Sequence, residues 1–591
     1  MKIKVADYIA NLLSTRGITH VFTVVGGGAM HLNNAFGQHK KLHCIYNHHE
    51  QASAIAAESF AKITNKPAVA CVTTGPGGTN AITGVLCAYQ DNIPLLVISG
   101  QVRYSTTVKS TGLKLRQFGE QEYHIVDSIK PMTKYAVMVK NPLDIKYHLE
   151  RAIFEATTGR KGPCWIDVPL DVQASIIEES DLRSFTPEKK ARYNVKTTKY
   201  ILQSIKQAKS PVLIAGSAIR QAGCFDDFYS LTEKLNIPVL CPTAISDYFH
   251  HGHPLYFGNF GVFGGRAGNF IIQNADLIIS LGARMSFKQT GFNYKLFAPN
   301  AEKIIVDIDG AELKKNTVKI NYPVQADICD VVKSLNEIIT KKLPPKSRWL
   351  KYCNMLKNDF RRLQKQQMIS KAVNPYYFAY RLQKKLSKDA IMILGNSCAC
   401  TSLSQYGISK KGQRLYTNVN CGTMGYDIPA ALGAAIASKK PVICATGDGS
   451  FQMNIQELQT IVHNKLPVKF IIFNNNSYQA IAQTHQNFFN GVLTGCTPDT
   501  GVSFPSFKKI AFAYGMPYKK IKSHDNVDSG IDWLLSTEGF CLCEILQDTE
   551  QPIEPRIISK KLSDGTMVSP PIDDLAPFLS KDDYRKYSKF T

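Results

Sequence analysis

At 591 residues, with 44% hydrophobic and 20% charged residues, the chain is too long for one core and has the composition of an ordinary globular protein. A prior of roughly 150 residues per domain gives three or four domains. The formal charge of +23 is spread over the whole length with acids interleaved, so it reads as a solvated lysine-rich surface, and no nucleic acid partner is expected.

Residues 1–178 alternate β-branched runs with helical patterns. VFTVV, HCIYN, PAVACVTT and PLLVISG read as strands, and the Ala-rich QASAIAAESFAKIT after His48-His49-Glu50 reads as a helix. Gly26-Gly27-Gly28 and Gly75-Pro76-Gly77-Gly78-Thr79-Asn80 read as loops at helix starts. This is a doubly wound α/β layout. The polar 176–196 reads as an interdomain linker. A second α/β block, 197–340, has PVLIAG, PVLCPT, DLIISLGAR and KIIVDID as strands. A Lys-rich helical stretch, 341–372, leads to a third block, 373–550. The Pro-rich, charged tail, 551–591, reads as irregular and ordered only by docking. No short-period repeat is visible, and reuse of one architecture in the first and third blocks is left open.

No apolar run is long enough to span a membrane, and no membrane partner is expected. The start, MKIKVADYIANLLSTRGITHVF, reads as a helix entering a strand, without a signal-peptide apolar core, so a cytoplasmic location is expected. The fifteen cysteines fall mostly in apolar runs, and Cys398-Ala-Cys400 and Cys541-Leu-Cys543 are not zinc spacings. Buried, reduced thiols are expected.

The most informative stretch is Lys440–Tyr478. Pro441–Thr446 reads as a buried strand broken by Gly447-Asp448-Gly449-Ser450. Ile455, Leu458, Ile461 and Val462 predict a helix, and Val468–Phe473 a second buried strand ending in Asn474-Asn475-Asn476. Ligands of parallel sheets bind beyond the carboxyl ends of strands, and this unit puts Asp448 and Asn475 at adjacent ends. A carboxylate, an amide oxygen and helix N–H groups together suit a magnesium–diphosphate pair. On residue type alone, Asp448 and Gly449 also fit a plain turn.

GDGS followed by the asparagines closely resembles the thiamine diphosphate signature. The wider text, GDGSFQMNIQELQTI…LPVKFIIFNNN, together with HEQASAIAAESFAK, TTGPGGTNAITGV and GTMGYDIPAALGAA, resembles the acetolactate synthase branch of that superfamily over nearly all of the chain to about residue 550. The resemblance implies three doubly wound α/β domains: pyrimidine-binding (1–178), central (197–340) and diphosphate-binding (373–550). It implies thiamine diphosphate and Mg²⁺ as cofactors, with Asp448, Asn475 and Ser477 as metal ligands. Gly422, Gly447, Gly449, Ser450 and Tyr478 fall at cofactor-binding positions. The implied reaction is decarboxylation of a 2-keto acid, pyruvate, and ligation of the remaining unit to a second carbonyl. The implied assembly is a homodimer or homotetramer whose site takes Glu50 from one chain and Asp448 from the other.

Individual roles follow from the same resemblance. Glu50 alone fits a helix N-terminal charge; in the family the Glu of HEQ hydrogen-bonds N1′ of the aminopyrimidine, which leads to deprotonation of C2. Met424 alone fits packing beside a helix start; in the family it lies under the cofactor and holds it bent. Gln121 keeps the family's thirteen-residue spacing to Lys134, although Glu120 precedes it where Phe is usual. Gly28 matches a glycine whose N–H helps bind the developing oxyanion, although Gly26 stands in place of the family's Pro. Gly261, Gly282-Ala283-Arg284 and Asp307-Ile308-Asp309 look like FAD contacts, with Arg284 toward the diphosphate; as plain residues they also fit ordinary loops of a doubly wound sheet. Ala480 and Thr484 replace the bulky Met and Trp of biosynthetic synthases, which predicts a wider acceptor pocket. RQFGEQE and PRIISKKLSDGT look like synthase-like proteins of surface-sugar pathways, in which a two-carbon unit passes to a nucleotide-linked keto-sugar. A simple decarboxylase or a flavin-dependent oxidase is a further alternative; a non-catalytic protein that keeps the fold is a rival of another class, against which the intact Glu50, Asp448, Asn475 and Met424 argue.

Overall fold

The computed structural model describes residues 1–188, 193–360, 365–370, 372–561 and 563–590. Three six-stranded sheets form its frame, and every strand pair within them is parallel. Their strands are near-continuous apolar runs, as parallel strands covered by helices on both faces must be. The fold is the expected one: three α/β domains with interleaved helices and strands.

In the first sheet the order in space is His43–Tyr46, His20–Thr23, Ala68–Val72, Leu95–Gln101, Pro163–Pro169, Tyr135–Met138. In the third it is Arg414–Tyr416, Ile391–Leu394, Val442–Gly447, Val468–Asn474, Cys541–Leu546, Tyr518–Ile521. Numbered from each sheet's own first strand, both read 2-1-3-4-6-5, so one architecture is used twice. The central sheet reads 3-2-1-4-5-6 and is built from Pro211–Ala215, Val239–Pro242, Tyr256–Phe260, Leu277–Leu281, Glu302–Asp307 and Tyr322–Gln325.

The first and third domains share one core. It runs from Phe22, Ala54 and Val97 to Ile393, Ala431 and Phe470. The join is made by two helices rich in small residues, Glu50–Thr64 and Asp427–Ser438, which pack on one another. Gly433 lacks the Cβ that would overlap the Ala56 carbonyl, so the backbones approach closely. Polar groups at the join are matched: Tyr426 donates to Glu58 (2.8 Å), and Lys62 lies between Glu58 (2.8 Å) and Asp91 (2.7 Å).

Two segments differ from the sequence expectation, the linker and the tail, while the charged stretch between them is helical as expected. The segment expected as linker begins with the strand Ile176–Glu178, which pairs antiparallel with Lys2–Lys4; residues 189–192 lie outside the described part. The charged stretch contains the helix Ser347–Asp359, which buries Trp349, Tyr352, Cys353 and Leu356 along one face, while 361–364 and 371 lie outside the described part. The tail is not wholly irregular. It carries the helix Lys581–Tyr587, and it docks on the central domain through Ile557, Ile572, Leu575 and Tyr587. All fifteen cysteines are free. Among the described residues, no helix is long and apolar enough to cross a membrane.

Candidate active site

Parallel register brings the first half of the site together. Gly447 pairs with Phe473, so Asp448 and Asn475 leave adjacent strands side by side. Asp448 is 2% exposed. Its Oδ1 accepts the Gly449 N–H (2.8 Å) and its Oδ2 the Asn475 N–H (3.0 Å). Burial pushes its carboxyl up to about 6, against the pull of these backbone donors. Asn475 Oδ1 accepts the Ser477 N–H (3.1 Å) and hydroxyl (2.9 Å). Asp448 and Asn475 thus bring a carboxylate and an amide oxygen to one place, oxygen donors of the kind a hard cation takes. Among the described residues no cluster of three or more His, Cys, Asp and Glu forms a rival metal site.

The loops around this pair are stapled by a buried carboxylate. Asp427 Oδ2 accepts from Thr446 (2.6 Å) and Ser450 (2.7 Å), and Ser450 Oγ in turn accepts the Gly425 N–H (2.8 Å). Ser450, expected at the cofactor, therefore has its hydroxyl engaged in joining the GDGS turn to the GTMG loop. Gly449 faces the Tyr478 ring and the Met424 methyl; a Cβ there would overlap Tyr478 Cε1. Gly422 is exposed at φ +65°, and its carbonyl accepts from Asn396 Nδ2 (3.0 Å). A Cβ built on Gly447 meets nothing within 4 Å.

Asn396 and Ser397 were missed in the sequence. Ser397 sits at φ +57° as the first residue of the helix Ser397–Tyr406, just past the first strand of this sheet. Among the described residues its buried Oγ has no hydrogen-bond partner. A strained residue and an orphaned hydroxyl at a ten-residue helix N-terminus, beside Gly422, fit an anionic ligand such as a diphosphate. The signal was a strand followed by Gly395-Asn396-Ser397, without the acidic or repeated residues that marked the other two ends.

The helix expected after Gly449 is broken into Asp448–Gln452 and Glu457–His463. The break turns Asn454 and Glu457 toward the first domain. Asn454 Nδ2 donates to Gly425 O (2.7 Å) and Gln51 Oε1 (3.3 Å), while Glu457 accepts from Asn47 Nδ2 (2.9 Å) and the His48 N–H (3.0 Å). These bonds override the periodicity that suggested one helix.

The second half of the site lies in the first domain. Glu50 opens its helix, is 9% exposed, and accepts from Asn80 Nδ2 (3.0 Å). Gln121 is exposed at φ +56°, its carbonyl packed over Gly75, where a Cβ would overlap it. Glu122 pins that loop by accepting the N–H groups of Val108 (2.7 Å), Phe118 (3.0 Å) and Gly119 (3.4 Å). Lys134 is turned away, to the Glu155 and Thr158 carbonyls. Gly28 lies in the loop after the strand His20–Thr23. Its N–H is donated to Thr73 Oγ1 (3.0 Å) and its carbonyl accepts from Gln173 (2.8 Å), so that N–H is already engaged.

A cavity of about 370 Å³ lies between the first and central domains. Gly282, Ala283, Arg284, Asp307 and Ile308 line it, with Arg160 and Lys161 opposite. Gly261 packs instead against the Lys288 carbonyl. Arg284, at φ +63°, faces Glu312 (3.4 Å), and Asp309 is paired with Arg160 (2.6 Å).

Twin parallel sheets with a carboxylate–amide pair at the strand ends of one and a helix-opening glutamate in the other define a thiamine diphosphate-type architecture. Three family models match in the same order. The thiamine pyrophosphate enzyme N-terminal TPP binding domain covers 3–124, the central domain 198–335 and the C-terminal TPP binding domain 395–545. The chain is 30% identical over 567 residues to the acetolactate synthase isozyme 1 large subunit of Escherichia coli K12, covering 93% of this chain and 95% of that one. It is 31% identical over 576 residues to the probable acetolactate synthase large subunit of Methanocaldococcus jannaschii, covering 93% and 92%. It is 29% identical over 581 residues to acetolactate synthase 2, chloroplastic, of Nicotiana tabacum, covering 94% and 84%. The chain belongs to the thiamine pyrophosphate enzyme family, in its acetolactate synthase large-subunit branch.

Proposed function

We propose that this enzyme uses thiamine diphosphate and Mg²⁺ to decarboxylate a 2-keto acid, pyruvate, and to join the remaining two-carbon unit to a second carbonyl compound. The observation that carries this reading is the convergence of Asp448, Asn475 and the Ser397 hydroxyl, unpartnered among the described residues, at three neighbouring strand ends. When bound, thiamine diphosphate supplies the electron sink for loss of CO₂ and for the bond that follows. Asp448, Asn475 Oδ1 and the Ser477 carbonyl would hold the cation, and Ser397 Oγ and the Gly422 loop the diphosphate. Met424 and Tyr478, packed over Gly449, would fix the cofactor's posture. Glu50 would hold the proton at the aminopyrimidine ring, oriented by Asn80. Gln121, on the loop pinned by Glu122, would face the reacting groups.

The reading includes a homodimer or a larger even assembly, with Glu50 and Asp448 of each site on different chains. It is supported by the apolar side chains left exposed in both halves, among them Val25, Tyr46, Met453 and Ile481. The reading extends to FAD, which would occupy the cavity lined by Gly282, Arg284 and Asp307; a flavin absorbance in the visible spectrum of purified protein would be its signature. The free cysteines support a reducing, cytoplasmic setting.

A second reading concerns the acceptor. On the helix Gln479–Phe488, the small Ala480 and the exposed Thr484 leave the acceptor side open, which favours a bulky partner such as a nucleotide-linked keto-sugar. One experiment separates the readings: purified protein with thiamine diphosphate, Mg²⁺ and ¹³C-pyruvate, analysed by mass spectrometry without and with a panel of nucleotide-linked keto-sugars. Labelled acetolactate from pyruvate alone supports a synthase, and label on a sugar supports transfer to that acceptor. Labelled acetaldehyde or acetate without a new carbon–carbon bond would identify a decarboxylase or oxidase instead.

A further inference from the structure

An amide side chain carries an oxygen at one end and an NH₂ at the other, with nearly the same shape. A cation accepts only the oxygen, so Asn475 serves a cation only in one of its two flips. Here the flip traces back to a backbone carbonyl. Gln551 O is purely an acceptor, so Gln479 must present Nε2 to it (3.2 Å), as it does to Thr549 O (3.5 Å). Gln479 Oε1 then faces the other way, accepting from Gln547 Nε2 (2.6 Å) and Asn475 Nδ2 (3.3 Å). Gln547 has spent its NH₂ on Gln479, so its Oε1 also meets Asn475 Nδ2 (3.3 Å). Two acceptors thus hold the NH₂ end of Asn475, and Oδ1 points toward Ser477.

We propose that Gln479 and Gln547 are positioning residues that lock the flip of Asn475, so that its amide oxygen is always the end presented to the cation of the diphosphate site. This rests on the cation–diphosphate reading given above. Both glutamines are buried, at 6% and 4% exposure, and so is Gln551, whose Oε1 is tied by Asn374 Nδ2 (2.6 Å). No water is needed to complete the relay. Ser477 N–H favours the same flip from the far side. Without the glutamine acceptors, however, the half-buried Asn475 NH₂ has no other partner among the described residues, and an unpaired donor turns toward whatever oxygen it can reach. The relay also ties the metal side of the site to residues 547–551, immediately beyond the last core strand, Cys541–Leu546.

The test uses the full chain with saturating thiamine diphosphate, titrated with Mn²⁺ while free Mn²⁺ is followed by electron paramagnetic resonance. Gln479→Leu and Gln547→Leu should each weaken Mn²⁺ binding by about 10–100-fold, the size typical of lost partners behind a metal ligand. A merely structural role is excluded by a double-mutant cycle. Asn475→Asp has an oxygen at both ends, so its orientation no longer matters, and adding Gln479→Leu to it should cost no further affinity. If both Leu variants bind Mn²⁺ within twofold of the wild type, or if the loss persists undiminished in the Asn475→Asp background, the proposal is overturned. Variants that lose their near-ultraviolet circular dichroism are judged by the cycle alone. A wild type that binds neither thiamine diphosphate nor Mn²⁺ refutes the cation site itself, a different failure from that of the positioning role.

Discussion

The Asn475 backbone N–H donates to Asp448 Oδ2 at 3.0 Å, across the ends of two adjacent parallel strands. The carboxylate is thereby aimed by the partner strand as well as by its own turn, where Gly449 N–H donates to Oδ1. Asp448→Asn keeps the shape and removes the charge. It should lower turnover by at least about 100-fold and weaken Mg²⁺ by a comparable factor, as expected for loss of a ligand rather than of a group behind it. Kinetics over a Mg²⁺ series check this, and turnover that recovers fully in millimolar Mg²⁺ with an unchanged maximum would contradict it.

The same carboxylate gives a pH signature. Burial raises it to about 6 in the folded protein, against roughly 3.9 unfolded. A raised carboxyl contributes stability that is complete below the unfolded value and is lost as pH rises through the folded one. In the absence of divalent cations, the melting temperature of Asp448→Asn should therefore gain on the wild type between about pH 4 and pH 7. Mg²⁺ affinity of the wild type should fall below about pH 6, because the ligand must be ionised. Melting curves in chelator across this range test the first statement; a pH-independent difference would refute it.

Glu50→Gln preserves the oxygen that accepts from Asn80 but cannot exchange a proton. Turnover should drop by about 10²–10⁴-fold, the usual worth of a positioned acid–base group. Cofactor affinity, read from quenching of intrinsic fluorescence, should change only a few-fold. A parallel loss of both would make Glu50 a binding group instead.

Gly449→Ala places a methyl against the Tyr478 ring and beside the Met424 methyl. The ring must shift, at a cost of about 1–3 kcal/mol for overpacking. Since Tyr478 N–H is bound to Cys496 O (2.9 Å), the displacement should carry into the loop after the asparagines. A lower melting temperature together with weaker thiamine diphosphate binding is expected, whereas Gly447→Ala, where a Cβ meets nothing, should leave the melting temperature nearly unchanged.

The strands most legible in the sequence were the central ones, such as Val442–Gly447 and Val468–Asn474, because burial on both faces writes a continuous apolar run. Strands left unnamed include the edge strand Arg414–Tyr416, and Tyr256–Phe260, whose YFGNF is interrupted by Gly258 and Asn259. Asp448 and Asn475 were readable because acidic and repeated amide residues ended apolar runs. Ser397 was not, because its importance lies in a positive φ and a missing partner, which residue type does not reveal. The engagement of Gly28 N–H by Thr73, and the break at Asn454, depend on contacts between segments distant in sequence. The twofold use of one strand order stays open in the sequence, since topology is a property of pairing rather than of local pattern.

The most direct measurement is a crystal of the full chain grown with thiamine diphosphate and Mn²⁺, examined by anomalous difference at the manganese edge. The predicted result is a peak bounded by an Asp448 carboxylate oxygen, Asn475 Oδ1 and the Ser477 carbonyl, with the diphosphate against Ser397 and the Gly422 loop. Manganese bound elsewhere, or thiamine diphosphate ordered with no metal at these three oxygens, would contradict the site.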